Sequence, residues 1–134
     1  MTKKSVTLGG RLSGGVVGYL NELLVSRAIP SGDQAIVQRV LADGANIEHR
    51  DAEGNTPLII AVRRGAVLSF VEFLLGHGAN ANTQNDAGRC ALLEAAEGGH
   101  EELVKRLLQQ GARASRIDLS KCSEEVRRVV QEAG

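Results

Sequence analysis

The chain has 134 residues, which suffices for one domain with its own apolar core but not for a second domain of ordinary size. Lys and Arg number 16, as do Asp and Glu, so the clustered basic excess typical of nucleic-acid or membrane-surface binding is absent. Because only 2% of the residues are aromatic, the core must consist of Leu, Val, Ile and Ala, which favours close helix packing over a large β-sandwich.

Residues 1–15 are rich in Gly and Ser, and we predict that they form a flexible N-terminal segment. They lack the continuous apolar run of a signal peptide, and residues 9–15 lack the Gly-Lys-Ser/Thr ending of a phosphate-binding loop. No stretch approaches the ~18 apolar residues of a membrane span. Cys90 and Cys122 have no CxxC spacing and are expected to be reduced thiols, so we expect a cytoplasmic or nuclear location.

The first helix of the first unit is expected near residues 20–29 from its apolar spacing and Ala28, and an apolar run that follows the N-terminal segment overlaps it. Its members are Val16, Val17, Tyr19, Leu20, Leu23 and Leu24. This run is long for a terminal helix, which leaves two alternatives open. The helix covers the first unit of the fold, or it pairs with a second chain. We expect a monomer, with self-association through this helix as the alternative.

An internal repeat of 33 to 34 residues organises the rest of the chain, and such a period is the signature of stacked structural units. The middle unit has one extra residue, between Gly65 and Val71. The residues that keep the spacing are Ala28, Ala61 and Ala95, Gly32, Gly65 and Gly99, Val37, Val71 and Val104, and Gly44, Gly78 and Gly111.

The middle unit predicts two short helices. Thr56 is suited to cap the first helix, and Pro57 fits its first position, where a missing N–H has no cost. Gly65 is expected to end this helix. The second helix should bury one face with Phe70, Val71, Leu74 and Leu75, and Gly78 should end it with a positive φ.

The strings DAEGNTPLIIAVRRG and FVEFLLGHGANANTQ resemble an ankyrin repeat, as do DAGRCALLEAAEGGHEELVKRLLQQGA and AIVQRVLADGANIEHRD. The resemblance covers residues 18–132. It implies an all-α fold, an ankyrin-type helix-turn-helix repeat stack (α-solenoid) of about four units with degenerate terminal caps. We expect a domain over residues 16–134, with units at about 18–50, 51–84 and 85–116 and a C-terminal cap at 117–134.

The predicted C-terminal cap is a shortened unit. Residues 117–120 resemble a truncated first helix, and Ser123 is suited to cap a last helix over residues 124–132. Val126, Val129 and Val130 would face inward. Repeat stacks need end units with a polar outer face, which the remaining residues of this helix supply.

The sequence also departs from the family pattern. Cys90 replaces the capping Thr of the family's Thr-Pro-Leu-His motif, which we expect to cost about 0.5–2 kcal/mol at that helix start. No two of His49, His77 and His100 have the spacing of a zinc site, and no motif supports Cys90 as a nucleophile. We therefore expect no metal, no cofactor and no enzymatic activity.

The resemblance implies protein binding at a concave surface made by turn tips and first helices. The positions that correspond to variable contact sites are Arg50, Glu53, Asn55, Arg63, Arg64, Asp86, Arg89 and Glu97. Arg63, Arg64 and Arg89 are the expected anchors, because Arg is enriched among residues that dominate binding energy. We also consider an ion pair between Arg63 and Glu97, which occupy corresponding helix ends.

The function expected from this resemblance is that of an interaction module or small adaptor for another, unidentified protein. The alternative is a regulatory inhibitor of a partner enzyme such as a kinase. Ankyrin repeats also resemble substrates of asparaginyl hydroxylases, and Asn82 matches the modified position. The other interpretation of Asn82 is an asparagine whose side chain bonds the turn.

Overall fold

The computed structural model describes residues 14–113 and 124–133, and within these ranges the chain is helical with no strand. This confirms the predicted all-α repeat stack. The helices are α1 (Gly14–Leu23), α2 (Ile29–Ser31), α3 (Gln34–Ala42), α4 (Pro57–Arg63), α5 (Leu68–Gly76), α6 (Ala91–Glu97), α7 (Glu101–Gln109) and α8 (Glu124–Ala133). No helix in this described part is long and apolar enough to cross a bilayer.

Helices α4 and α5 form as the middle unit predicts. The Thr56 hydroxyl accepts a hydrogen bond of 3.4 Å from the backbone amide of Ile59, and Pro57 occupies the first helical position. Gly65 and Gly78 follow α4 and α5 with φ angles of 77° and 94°. Both angles are in the region that strongly favours glycine, so these residues reverse the chain at each helix end.

The helices stack in two rows. The first helices α4 and α6 contact one another, as do the second helices α5 and α7, and α2 continues the first row on the other side of α4. Ala28, Ala61 and Ala95 lie in the first row and are almost completely buried. Their small side chains allow these helices to approach closely, so that neighbouring units share one continuous core.

The first helix begins earlier than predicted. It begins at Gly14, so it includes the last two residues of the predicted flexible segment, while residues 1–13 lie outside the described ranges. A π-helical segment, Leu24–Ala28, joins α1 to α2, and the Ile29 amide donates to the Leu24 carbonyl. Pro30 explains this widened turn, because proline has no N–H to continue the ordinary pattern.

Helix α1 covers the first repeat. Val16, Leu20 and Leu23 pack against the core. The Asn21 side chain accepts a hydrogen bond of 2.6 Å from the Asn46 backbone amide. At the equivalent positions of the next two units, the Asn80 amide donates to the Glu48 side chain and the Arg113 amide donates to the Asn82 side chain, each in the preceding turn. Helix α1 thus supplies the acceptor that a preceding repeat would supply.

The C-terminal helix α8 packs on α7 and closes the second row. Val126, Val129 and Val130 are buried, as predicted, while Glu125 and Arg128 are exposed on the opposite face. The predicted truncated helix at residues 117–120 and the predicted cap at Ser123 lie outside the described residues.

Candidate partner-binding surface

Two equivalent turns precede α4 and α6 and position most of the predicted contact residues. In the first, Asp51 Oδ1 accepts hydrogen bonds of 2.9 Å from the backbone amides of Glu53 and Asn55. In the second, Asn85 Oδ1 accepts bonds of the same length from Ala87 and Arg89. Asp and Asn favour such turns because their short side chains reach backbone amides two to four residues ahead.

The two turns are joined to one another. Asn85 Nδ2 donates to Asn55 Oδ1 at 2.8 Å, and the Asp86 amide donates to the Glu53 carbonyl at 3.1 Å. Asn55 is only 3% exposed. The sequence predicts it as a contact residue, but its buried side chain instead holds the two turns together. Gly54 is required here, since a Cβ at this position would overlap Asp86.

The pKa of Asp51 is lowered by its place in the turn. Partial burial is the largest single influence and acts in the opposite direction, because it disfavours the charged form. Hydrogen bonds from the backbone amides of Asn55 and Glu53, from the Asn55 side chain, and the charge of Arg63 together outweigh it. The turn therefore contains a stable carboxylate at neutral pH.

Arg89 is held by two carboxylates of α6. Its Nε lies 2.7 Å from Glu94 Oε2, and its Nη2 lies 2.6 Å from Glu97 Oε1. These hydrogen bonds, first to Glu94 and then to Glu97, raise the pKa of Arg89. Glu97 lies near the C-terminal end of α6, where the helix carbonyls disfavour negative charge, so Arg89 also compensates this unfavourable position.

Arg63 is held much more loosely. Its Nε lies 3.8 Å from Glu94 Oε2 and its Nη1 lies 3.9 Å from Glu53 Oε1, both beyond hydrogen-bond distance. The predicted ion pair between Arg63 and Glu97 is wrong. Glu97 instead pairs with Arg89, which lies in the turn immediately before α6.

The remaining two arginines differ in their surroundings. Arg50 is exposed and donates through Nη1 to the Gln84 carbonyl at 3.0 Å, which ties successive turns together. Arg64 is exposed at the end of α4, and no carboxylate in the described ranges lies within ion-pair distance of its guanidinium.

Two shallow grooves define what we call the turn surface. The first has a volume of about 290 Å³ and the second about 440 Å³, and Glu53 and Arg63 line both. The first groove also contains Asp51, Asn55, Ile60 and Arg64, and the second also contains Ala52, Asn85, Asp86 and Arg89. Of the predicted residues, Arg50 and Glu97 lie outside both grooves. Sequence reasoning missed Glu94, which sets the pairing of both arginines.

Asn82 bonds to the following turn at both ends of its side-chain amide. Its Nδ2 donates to the Gly111 carbonyl and its Oδ1 accepts from the Arg113 amide, each at 2.9 Å. These contacts favour the interpretation in which Asn82 stabilises the turn, and its hydroxylation stays a prediction.

Side chains suited to metal binding do not gather into a cluster within the described residues. The surface instead combines carboxylates, guanidinium groups and backbone turns that are fixed by buried amides. Such a surface can recognise the charges and hydrogen-bonding groups of another molecule.

The family model for ankyrin repeats, in three copies, matches residues 25–118. The chain belongs to the ankyrin repeat family. This fold is a non-catalytic interaction fold, and its members are generally protein–protein interaction modules. The identification confirms the resemblance that the repeated glycines and alanines indicated.

Several curated proteins are similar to this chain over the repeats. Probable E3 ubiquitin-protein ligase XBOS34 of Oryza sativa subsp. japonica is 37% identical over 68% of this chain and 18% of its own length. B-cell lymphoma 3 protein homolog of Mus musculus is 41% identical over 63% of this chain and 19% of its own. ARF GTPase-activating protein GIT2 of Homo sapiens is 36% identical over 61% and 11%. The chain thus spans less than a fifth of each relative.

Proposed function

We propose that this chain is an adaptor-like module that binds another protein through the turn surface. The observation that carries the proposal is the buried hydrogen bond between Asn55 and Asn85, which fixes two turn tips relative to each other before any partner arrives. A surface that is already ordered loses less conformational freedom on binding, so more of its contact energy is available as affinity.

The availability of the charged groups indicates which of them contact the partner. Arg63 and Arg64 make no hydrogen bond to a carboxylate of the described residues, and Asp86 is exposed in the same groove as Arg63. Arg89 is already paired with two carboxylates, those of Glu94 and Glu97. We therefore assign direct contact to Arg63, Arg64 and Asp86 and a supporting role to Arg89.

The similarity to much longer proteins supports binding and does not extend to their activities. The matched part of each relative consists of the repeats, while ligase or GTPase-activating function is named for the whole protein. We propose a cytoplasmic or nuclear partner, because the described free thiol of Cys90 suits a reducing compartment.

The test is affinity capture with a tip variant that combines Arg63→Ala with Asp86→Ala. Wild-type protein is expected to capture a defined partner, and the tip variant to lose at least about tenfold in affinity, as expected for loss of a central contact. A matched control combines Glu102→Ala with Lys105→Ala on α7. It also removes one acid and one base, from a solvent-exposed pair at 3.6 Å.

Retention of every partner by the tip variant would show that the turn surface is not the binding site. Melting curves of all three proteins confirm that binding is compared between folded chains. An activity assay on a captured enzyme then separates a simple adaptor from an inhibitor, since only an inhibitor lowers the activity of its partner.

A further inference from the structure

An apolar groove lies outside the turn surface, at the junction where α2 and the α4–α5 connection meet. Its volume is about 270 Å³. The floor consists of Ile29, Ala61 and Phe70, each at most 2% exposed, and Pro30 and Val67 stand at its rim. The groove exceeds the ~150 Å³ of a cavity that holds benzene, although it is open on one side.

The rim of this groove has a composition that the other repeat does not share. Val67 precedes α5 at the position that His100 occupies before α7, and it is 68% exposed. At the position of Arg64 the next unit has Gly98, and a Cβ there would meet the ring of His100. The apolar rim and its cation therefore belong to this junction and are not a general consequence of the repeat.

Arg64 is the one charged residue among the described residues that line the groove. It has no carboxylate partner in the described part of the chain, and it also lines the first groove of the turn surface. The apolar groove is thus continuous with the turn surface through Arg64. An apolar group beside an unpaired cation is complementary to an apolar group beside an anion.

We propose that the groove formed by Ile29, Pro30, Ala61, Val67 and Phe70 takes an aliphatic or aromatic side chain of a partner segment, with an adjacent Asp or Glu of that segment paired to Arg64. This inference rests on the proposed function, because the segment continues from the turn surface along α4. It adds a specificity: the partner presents an apolar residue beside a carboxylate.

The experiment selects peptides from a random twelve-residue phage library on the intact protein. Peptides that bind wild-type protein are expected to contain an aliphatic or aromatic residue within two positions of Asp or Glu. Their affinity should fall about tenfold on Val67→Ser and on Arg64→Gln, the size expected when one anchor contact is lost. Both substituted side chains are exposed, so the fold is retained.

Matched controls are Ile36→Ser and Arg39→Gln, which remove an exposed apolar residue and an exposed cation from α3. These variants should bind the selected peptides as wild-type protein does. The charge reversal Arg64→Glu should redirect selection toward peptides with Lys or Arg beside the apolar residue. A structural role of Arg64 at the end of α4 would not produce this exchange of specificity.

Three results would overturn the groove proposal: no enriched peptides, enriched peptides without the apolar–acidic pair, or binding that is insensitive to Val67→Ser and Arg64→Gln. If peptide binding is unaffected by Val67→Ser and Arg64→Gln but is lost with the tip variant, the proposed function stands and only the groove proposal is rejected. Peptides lost on the groove variants but retained by the tip variant would locate binding away from the turn tips.

Discussion

Replacement of Arg89 by Ala is expected to reduce stability far more than replacement of Arg63, although both were predicted as binding anchors. Arg89 makes two short ion pairs, at 2.7 and 2.6 Å, with side-chain exposures of 32% for Arg89, 14% for Glu94 and 26% for Glu97. A hydrogen bond to a charged group contributes about 1.5–3 kcal/mol when buried, and partial exposure screens this substantially. Each of the two bonds therefore contributes less than this range, and we expect their joint loss in Arg89→Ala to cost about 1.5–3 kcal/mol.

The corresponding cost for Arg63 is smaller because of distance and exposure. Its contacts of 3.8 and 3.9 Å are not hydrogen bonds, and the side chains of Arg63 and Glu53 are 45% and 76% exposed. Exposed pairs of this kind contribute about 0–1 kcal/mol. Arg63→Ala should therefore leave the free energy of unfolding nearly unchanged, which makes it the better variant for binding studies.

Urea unfolding followed by far-UV circular dichroism measures both values. A double-mutant cycle between Arg89→Ala and Glu94→Gln isolates the pair, and its coupling energy should be about 1 kcal/mol or more, as found for contacting residues in one network. The reasoning is refuted if Arg89→Ala and Arg63→Ala agree within about 0.5 kcal/mol, or if the coupling energy is zero within the error typical of independent sites.

Three further predictions concern the turns and caps. Cys90→Thr should raise the free energy of unfolding by about 0.5–1 kcal/mol, because the Cys90 side chain accepts no capping hydrogen bond, whereas the Thr56 hydroxyl accepts one at the equivalent site. The absence of any gain in urea unfolding would contradict this. The folded pKa of Asp51 lies below its ordinary value of 3.8, so its stabilisation is present above that value and is lost as the pH falls through the lower folded one. Asp51→Asn gives this turn the same residue type that Asn85 provides in the second turn. It should therefore weaken the loss of stability at acidic pH, and an unchanged loss would refute the role of the Asp51 carboxylate. Asn82→Ala should lower the free energy of unfolding by about 1–2 kcal/mol, because two hydrogen bonds are lost. The predicted hydroxylation is tested separately, since mass spectrometry of native material must then show one added oxygen on Asn82.

The repeat itself could be predicted because its determinants are local. A capping Thr56, a following Pro57 and a glycine such as Gly65 act within one or two helical turns, and the 34-residue period repeats the pattern. Stacking then follows from small residues at fixed positions, such as Ala61 and Ala95. These features depend on local backbone geometry, which can be predicted from residue types that recur at a fixed spacing.

The N-terminal cap could not be predicted in full because it depends on distant contacts. The bond from the Asn46 amide to Asn21 spans 25 residues and gives α1 the role of a preceding turn. Nothing in the local apolar pattern places Asn21 opposite that amide. The π-helical segment has a local cause instead, because Pro30 lacks a backbone donor within a continuous helical stretch.

The pairing of the arginines shows a different limit of repeat-based prediction. Alignment correctly gave equivalent backbone positions to Arg63 and Glu97, but an arginine side chain reaches several residues in any direction. Glu94 replaces the Ile60 of the preceding unit and attracts both Arg63 and Arg89. The pairing is therefore decided by a residue whose counterpart in the other repeat is apolar.

The same helix end consequently has opposite chemistry in the two units. Helix α4 ends in Arg63 and Arg64, which favourably face its carbonyl groups, whereas α6 ends in Glu97 and requires Arg89 to compensate. Positive charge is thus neutralised over α6 and remains available over α4. Because the apolar groove also adjoins α4, the cations and the apolar contacts that can capture a partner lie on the same side of the turn surface. A partner segment should therefore be oriented with its apolar and acidic residues over α4 and its hydrogen-bonding groups over the turns.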